Sequence, residues 1–319
     1  MTETGSTHPT PRRGNPFAWF VVALTLILAA GYIFFSLRNG HFDWTLLAFA
    51  GFPLTGALII YRQPRNRVGW MLSVFGVFNL LSNASIEYAY FGLVTMPDSL
   101  PFCDFFSWVG SWCWMVAQPF AIASILLFPD GNPPSRRWWV LLWVVFAALL
   151  PIMIYAMILL WPFRGARLVQ LDYEAAFSPE IWQLILRALS IYNPVYLGGM
   201  ALAVIGMAVR FKRSSGIERQ QLKWIFFAMI TVPVSIAINS FVVPDRLPVL
   251  ATIGQILNAA SIIGFPIAVA FAVTRYHLYD IDVIIRRTLL YGALTVTLSL
   301  LYFGSVILLQ AILSGITGG

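Results

Sequence analysis

Nine apolar segments, with approximate limits 17–37, 44–61, 69–94, 105–128, 138–161, 191–209, 224–243, 249–274 and 288–313, alternate with polar connections along the chain. Each is close to the about 20 residues that carry a helix across a hydrocarbon layer about 30 Å thick. The pattern therefore predicts an all-α polytopic membrane helical bundle of about nine transmembrane helices. The connections carry turn and cap chemistry. Residues 63–66 (QPRN) read as a tight turn, and 129–135 (PDGNPPS) combine an Asp-Gly turn with two prolines, after which Ser135 can cap the fifth helix. Ser215 and Glu218 stand at capping-box spacing ahead of the seventh. The longest connection, 162–190, contains SPEIWQLILRAL, where Ser178 can cap and Pro179 suits the first helical position. Ile181, Trp182, Ile185 and Leu189 share one face there. This predicts a short extracytoplasmic interfacial helix at about 178–189, lying in the membrane surface and not crossing it.

The charges fall into the connections with a strong bias. With the N-terminus inside, the inside connections hold 15 of the 20 Lys and Arg residues and the outside ones hold five, Arg38, Arg164, Arg167, Arg187 and Arg246. Positive residues mark the cytosolic side of membrane helices, so the expected topology has a cytosolic N-terminus and the end of the ninth span outside. Residues 1–16 read as a disordered cytosolic tail, 17–313 as the transmembrane domain and 314–319 as a C-terminal tail. Composition agrees: 59% of residues are hydrophobic and 10% charged, about half the charge of a soluble domain. Topology accounts for the net charge of +7, which removes nucleic acid from the expected partners and leaves the lipid bilayer. Trp44, Trp108, Trp112, Trp138, Trp139 and Trp161 lie near predicted helix ends, as interfacial anchors do.

Glu87 is the only charged residue inside an apolar segment. With Asn79 and Asn83 it makes an i, i+4, i+8 row on the third helix, with Glu87 about 10 Å and Asn79 about 22 Å from the outer end. The row reads either as a hydrogen-bonded stripe that glues helices or as a ligand or proton site opening outward. Tyr88 on the same helix and Trp112 on the next either wall such a pocket or belong to an aromatic belt. Glu87, Asn83, Asn79, Tyr88 and Trp112 are thus the ligand-sensing candidates. A second row, Gln255, Asn258 and Ser261, faces Ser235 and Asn239 for hydrogen bonds between helices. No catalytic residue, metal ligand or cofactor is expected. The chain has no P-loop, no H-E-x-x-H pair and no Gly-rich nucleotide loop, and His8, His41 and His277 fall in a tail and two connections. Cys103 and Cys113 on one helix are about 15 Å apart, too far for a disulfide.

A charged interruption at 275–292, RYHLYDIDVIIRRTLLYG, separates the last two apolar runs. Asp280 can cap a helix there, Asp282 sits in its first turn, and Asp282 precedes Arg286 by four residues in the favourable orientation. A helix over 281–313 would be about 50 Å long, so about two turns would stand outside the hydrocarbon. The segment reads either as a positively charged anchor at the membrane surface or as a carrier of movement from membrane to cytosol. Arg275, Tyr276, Asp280, Asp282, Arg286 and Arg287 are the signal-transmission candidates.

The string RYHLYDIDVIIRRTLLYGAL resembles the membrane-exit segment of multispanning N-terminal sensor regions in bacterial histidine kinases, many of them with GAF domains, from actinobacteria and Chloroflexi-type bacteria. YRQPRNRVGWML at 61–72, LVTMPDSLP at 93–101, LLFPDGNPPSRRW at 126–138 and GIERQQLKW at 216–224 fit the same pattern in the same order. The resemblance covers about residues 44–313. It implies a sensor or input module of the bacterial inner (plasma) membrane, acting in two-component signal transduction either as a homodimer or through a separate cytosolic signalling partner. His277 stands where the pattern more often has Arg. The pattern continues with a tenth span and cytosolic kinase modules that these residues do not contain. The expectation is therefore a truncated product, a fragment or a stand-alone relative, without kinase activity of its own. A small-molecule transporter or permease-like protein is the alternative.

Overall fold

A computed structural model of the chain describes residues 15–161, 177–229 and 248–274, all of them within one compact unit, Met1–Thr274. Among the described residues the secondary structure is helical, with no strand. The helices are α1 (Pro16–Asn39), α2 (Trp44–Leu47), α3 (Gly51–Arg62), α4 (Arg67–Tyr90), α5 (Cys103–Leu127), α6 (Arg137–Leu159), α7 (Pro179–Arg213), α8 (Gly216–Met229) and α9 (Pro248–Thr274). Seven helical stretches are long and apolar enough to cross a membrane, counting α2 and α3 with the 3-10 turn Ala48–Ala50 between them as one, Trp44–Arg62. This is the make-up of a multi-pass membrane protein. Of the expected spans, 224–243 is described only through its first residues. The span at 288–313 and the candidates Arg275, Tyr276, Asp280, Asp282, Arg286 and Arg287 lie outside the described residues.

The helix limits follow local chemistry. Asn15 caps α1 by accepting from the Phe17 N–H, Pro16 occupies the first turn, and Gly40 ends the helix in the left-handed conformation at φ 74°. Pro16 thus opens α1, with Asn15 as its cap, and does not belong to the polar tail expected over 1–16. Ser178 accepts from the Ile181 N–H and Pro179 opens α7, as the sequence predicts. That helix does not stop at 189. It runs without a break for 35 residues to Arg213, about 52 Å at 1.5 Å per residue, so the residues of the expected separate short helix are the first third of one long helix. Pro194 sits inside α7 without ending it. Ser135 does not cap α6. The chain enters that helix through a 3-10 turn, with Trp138 N–H donating to Ser135 O at 3.1 Å.

α5 is the centre of the bundle. Some 67% of its apolar stretch is buried, against 22% for α1, α6 and α7, whose outer faces carry exposed side chains such as Trp19, Ile27, Trp143, Ile154 and Leu197. Lipid tails are as apolar as these residues, so contact between helices depends on close approach and hydrogen bonds. A Cβ at Gly56 would meet Ser73 and the Gly69 carbonyl, and one at Gly76 would meet Pro53, which brings α3 against α4. Ser82 Oγ donates to Gly110 O at 2.6 Å across the α4–α5 contact, where a Cβ at Gly110 would strike Ile86. Tyr192 of α7 donates to Met115 O at 3.1 Å. Pro119 has no N–H to offer that carbonyl, so the tyrosine from α7 satisfies what the proline leaves free. The α2–α3 break is held by α9: Thr55 Oγ1 donates to Pro266 O at 3.2 Å, and Phe52 stacks with Phe265.

Candidate functional site

Polar chemistry concentrates at the two ends of α4. Glu87 lies near one end and Asn66 caps the other, about 30 Å away at 1.5 Å per residue.

At the Glu87 end, the buried carboxylate accepts from Asn39 Nδ2 at 2.7 Å, and the same amide also donates to Glu87 O at 3.0 Å. Asn39 Oδ1 in turn accepts from Thr95 Oγ1 at 2.7 Å. Thr95 closes a π-type turn, Phe91–Thr95, that follows α4. One asparagine at the C-terminus of α1 therefore links a helix, its terminal turn and a membrane carboxylate. Nearby, Tyr32 donates to Asp43 O at 2.9 Å, Asp43 caps α2, and the His41 ring sits 4.4 Å from that of Tyr90. Among the described residues Glu87 has no cationic partner in an ion pair. A carboxyl in this position is an acceptor when ionised and also a donor when protonated, so proton transfer at Glu87 would change what it offers Asn39.

The sequence row does not act as one stripe. Asn79 Nδ2 donates back to Phe75 O and Asn83 Nδ2 to Asn79 O, both at 2.8 Å, so these amide donors serve their own helix. Tyr88 donates to Pro101 O at 3.0 Å and packs on Phe35 and Phe106. Trp112 lies among Trp108, Leu160, Phe177, Ile181 and Ile185. Tyr88 hydrogen-bonds away from Glu87, and Trp112 packs against the separate cluster of Leu160 and Phe177. They are the ends of a row of rings, Tyr88, Phe106, Phe105, Trp108 and Trp112, with successive centroids 4.8 to 5.8 Å apart. A shallow depression of about 320 Å³ beside this row is lined by residues of 92–105 such as Gly92, Asp98, Leu100 and Asp104, and not by Glu87. In the second row, Ser261 donates to Leu257 O of its own helix, and Ser235 and Asn239 lie outside the described residues.

The opposite end holds a network whose members the sequence pattern marks only as topology charges, a turn and a cap. Arg210, at the end of α7, donates to Asp130 Oδ1 at 2.9 Å, to Asn132 O at 2.6 Å and to Glu218 Oε1 in the first turn of α8. Its side chain is 13% exposed, while those of Asp130 and Glu218 are 52% and 38% exposed. Glu218 thus turns its carboxylate to Arg210, a partner that capping-box spacing does not foresee. Burial pushes the Asp130 carboxyl up, but the Arg210 bond, the Asn132 N–H and the Arg210 charge outweigh it and hold it below its ordinary value. Buried Asn66 caps α4 through Val68 N–H and donates to Pro129 O at 2.9 Å. Arg67 reaches Asn132 Oδ1 at 3.2 Å and lies over the Trp139 ring at 4.9 Å. Gly131 has φ +81°, and a Cβ there would also meet the Arg67 backbone nitrogen, so a glycine is required at the point where the two turns touch. Among the described residues no group of three His, Cys, Asp or Glu side chains is placed to hold a metal ion, and Cys103 and Cys113 are free and buried.

Comparison with protein-family models, with curated proteins and with solved structures returns no match to this chain.

Proposed function

We propose that the chain is a membrane-embedded sensor or input module, related to the N-terminal sensor regions of bacterial histidine kinases and without catalysis of its own. It sits in the plasma membrane with its N-terminus and the Arg210 end in the cytosol, spans the bilayer about nine times, and works either as a homodimer or through a separate cytosolic partner. In this reading the Glu87 end receives a stimulus and the Arg210 end passes it on. One observation supports it above the others. Three of the strings that carry the resemblance, at 61–72, 126–138 and 216–224, each give residues to the single network around Arg210: Asn66 and Arg67, Asp130 and Asn132, and Glu218. A fourth, at 93–101, gives Thr95 and Pro101 to the Glu87 end. Segments far apart in sequence thus meet at the two ends of one helix pair.

The test is a chimera in which the chain is followed by a tenth span and a kinase core, with autophosphorylation measured in isolated membranes. Glu87→Gln and Arg210→Met are expected to move the basal level at least twofold at equal membrane abundance. Levels unchanged in both variants would remove the signalling role. The transporter reading draws on the break between α2 and α3 facing the Pro266 region of α9, since discontinuous helices line many transport sites. Here that junction is filled by Phe49, Phe52, Phe75 and Phe265, which favours packing over passage.

A further inference from the structure

Of the acids among the described residues, Asp130 and Glu218 are the two at the Arg210 end, and both are taken by Arg210. Arg62, Arg65, Arg136, Arg137, Lys212 and Arg213 are all exposed and form no ion pair among the described residues. The hydrogen bonds from Asn66 and Arg67 to 129–132, and from Arg210 to Asp130 and Asn132, tie the three segments that carry these cations to one end of the bundle.

Their placement is peripheral. Arg62 ends α3 next to Tyr61, which is exposed and packs edge-on against the exposed Trp19 at 6.4 Å. Arg136 and Arg137 stand at the start of α6, whose first turns expose Val140 and Trp143, and Lys212 and Arg213 end α7, which exposes Leu202 and Ile205. Each cation or pair therefore stands at the rim of an apolar helix face with aromatic or aliphatic side chains a turn or two below it. That is the level of lipid headgroups, where rings and basic groups anchor together, and an arginine fork matches a phosphate. A soluble anion would be better served by cations converging on a cleft.

We propose that this end is a docking surface for the phosphate headgroups of anionic phospholipids, gathered around the rim by these three basic clusters. The inference rests on the membrane-spanning architecture and is independent of the signalling role.

The test uses the full chain in a neutral detergent, mixed with equal amounts of phosphatidylglycerol and phosphatidylcholine of the same acyl chains, with retained lipids counted by native mass spectrometry. Phosphatidylglycerol is expected to exceed phosphatidylcholine by at least about fiftyfold. About fivefold should be lost for each basic group removed, the equivalent of about 1 kcal/mol per basic group near an anionic surface, in the double variants Arg136→Gln/Arg137→Gln and Lys212→Gln/Arg213→Gln. Arg38→Gln, at the opposite end, should leave the preference unchanged. The wild type supplies a reading that needs no variant to fold: the preference should shrink steeply as salt is raised to about 0.5 M. Equal retention of the two lipids, salt-insensitive retention, or an equal loss in Arg38→Gln overturns the proposal. Displacement of the lipid by inorganic phosphate at equal concentration overturns it too, since the surface would then be a site for a free anion.

Discussion

The Arg210 network makes a quantitative prediction through a double-mutant cycle of Asp130→Asn and Arg210→Met. A hydrogen bond to a buried charge contributes about 1.5–3 kcal/mol, whereas exposed ion pairs contribute under about 1 kcal/mol. Arg210 is 13% exposed but Asp130 is 52% exposed, so solvent screens one side and the coupling should be about 1 kcal/mol. Arg210→Met also removes the bonds to Asn132 O and Glu218, and its total cost should be about 2–3 kcal/mol, kept from rising further because both acids can rehydrate. Unfolding of the detergent-solubilised protein by graded SDS, followed by helicity, supplies the free-energy differences. The pH dependence checks the same contact. The Asp130 carboxyl is held below its unfolded value of about 3.9, so its contribution is complete above about pH 4 and is lost as pH falls through the folded value. Wild type should therefore shed stability in acid that Asp130→Asn does not. A coupling inside the additivity scatter of about 0.3–0.5 kcal/mol, or identical acid losses in both proteins, would refute the network as a stabilising unit.

Two further substitutions test the packing. Tyr192→Phe should cost about 1 kcal/mol, because Met115 O loses its donor in a region where Pro119 cannot replace it; in a Pro119→Ala background the cost should fall below about 0.5 kcal/mol, since the alanine restores a helical N–H, and an undiminished cost would refute the pairing. Gly76→Ala should destabilise by about 1–3 kcal/mol against Pro53 and Phe52, while Gly31→Ala, which meets nothing within 4 Å, should gain about 0.5–1 kcal/mol; the same SDS titration reads both, and equal effects would mean that α3 and α4 are not in close contact.

Much of this architecture is written in the chain's pattern. Apolar stretches of bilayer length separated by turn residues locate α1, α4, α5, α6 and α9 closely, because in lipid the backbone must satisfy itself and a helix is the only open solution. The Ser178–Pro179 start of α7 is legible for the same local reason. Its continuity is not: polar and proline residues at 187–194 look like a boundary, yet Ile181 and Ile185 pack against the cluster of Leu160 and Phe177, which supports the first turns from outside the helix. The site was half legible. A lone membrane glutamate marks Glu87, but its partner Asn39 lies 48 residues away and carries no periodic signal. Asn79 and Asn83 share its helical register without sharing its bonds, because an amide can return its donor to the carbonyl four residues back. The Arg210 network escaped because charge bias explains each cation singly, and nothing in one sequence says which arginine turns inward.

The two polar ends also explain why Glu87→Gln is the informative substitution. A glutamine in that place keeps an oxygen for Asn39 Nδ2 and removes only the charge and the exchangeable carboxyl proton. Asn39→Leu would instead leave a carboxylate buried among apolar groups without its donor, a defect that destabilises the helix pair whatever the protein does. A functional change in the first with intact stability assigns Glu87 a role beyond packing. A change seen only when Asn39 is lost returns the residue to the architecture, as one more bond that aligns α1 with α4 in a bilayer where apolar contact alone cannot.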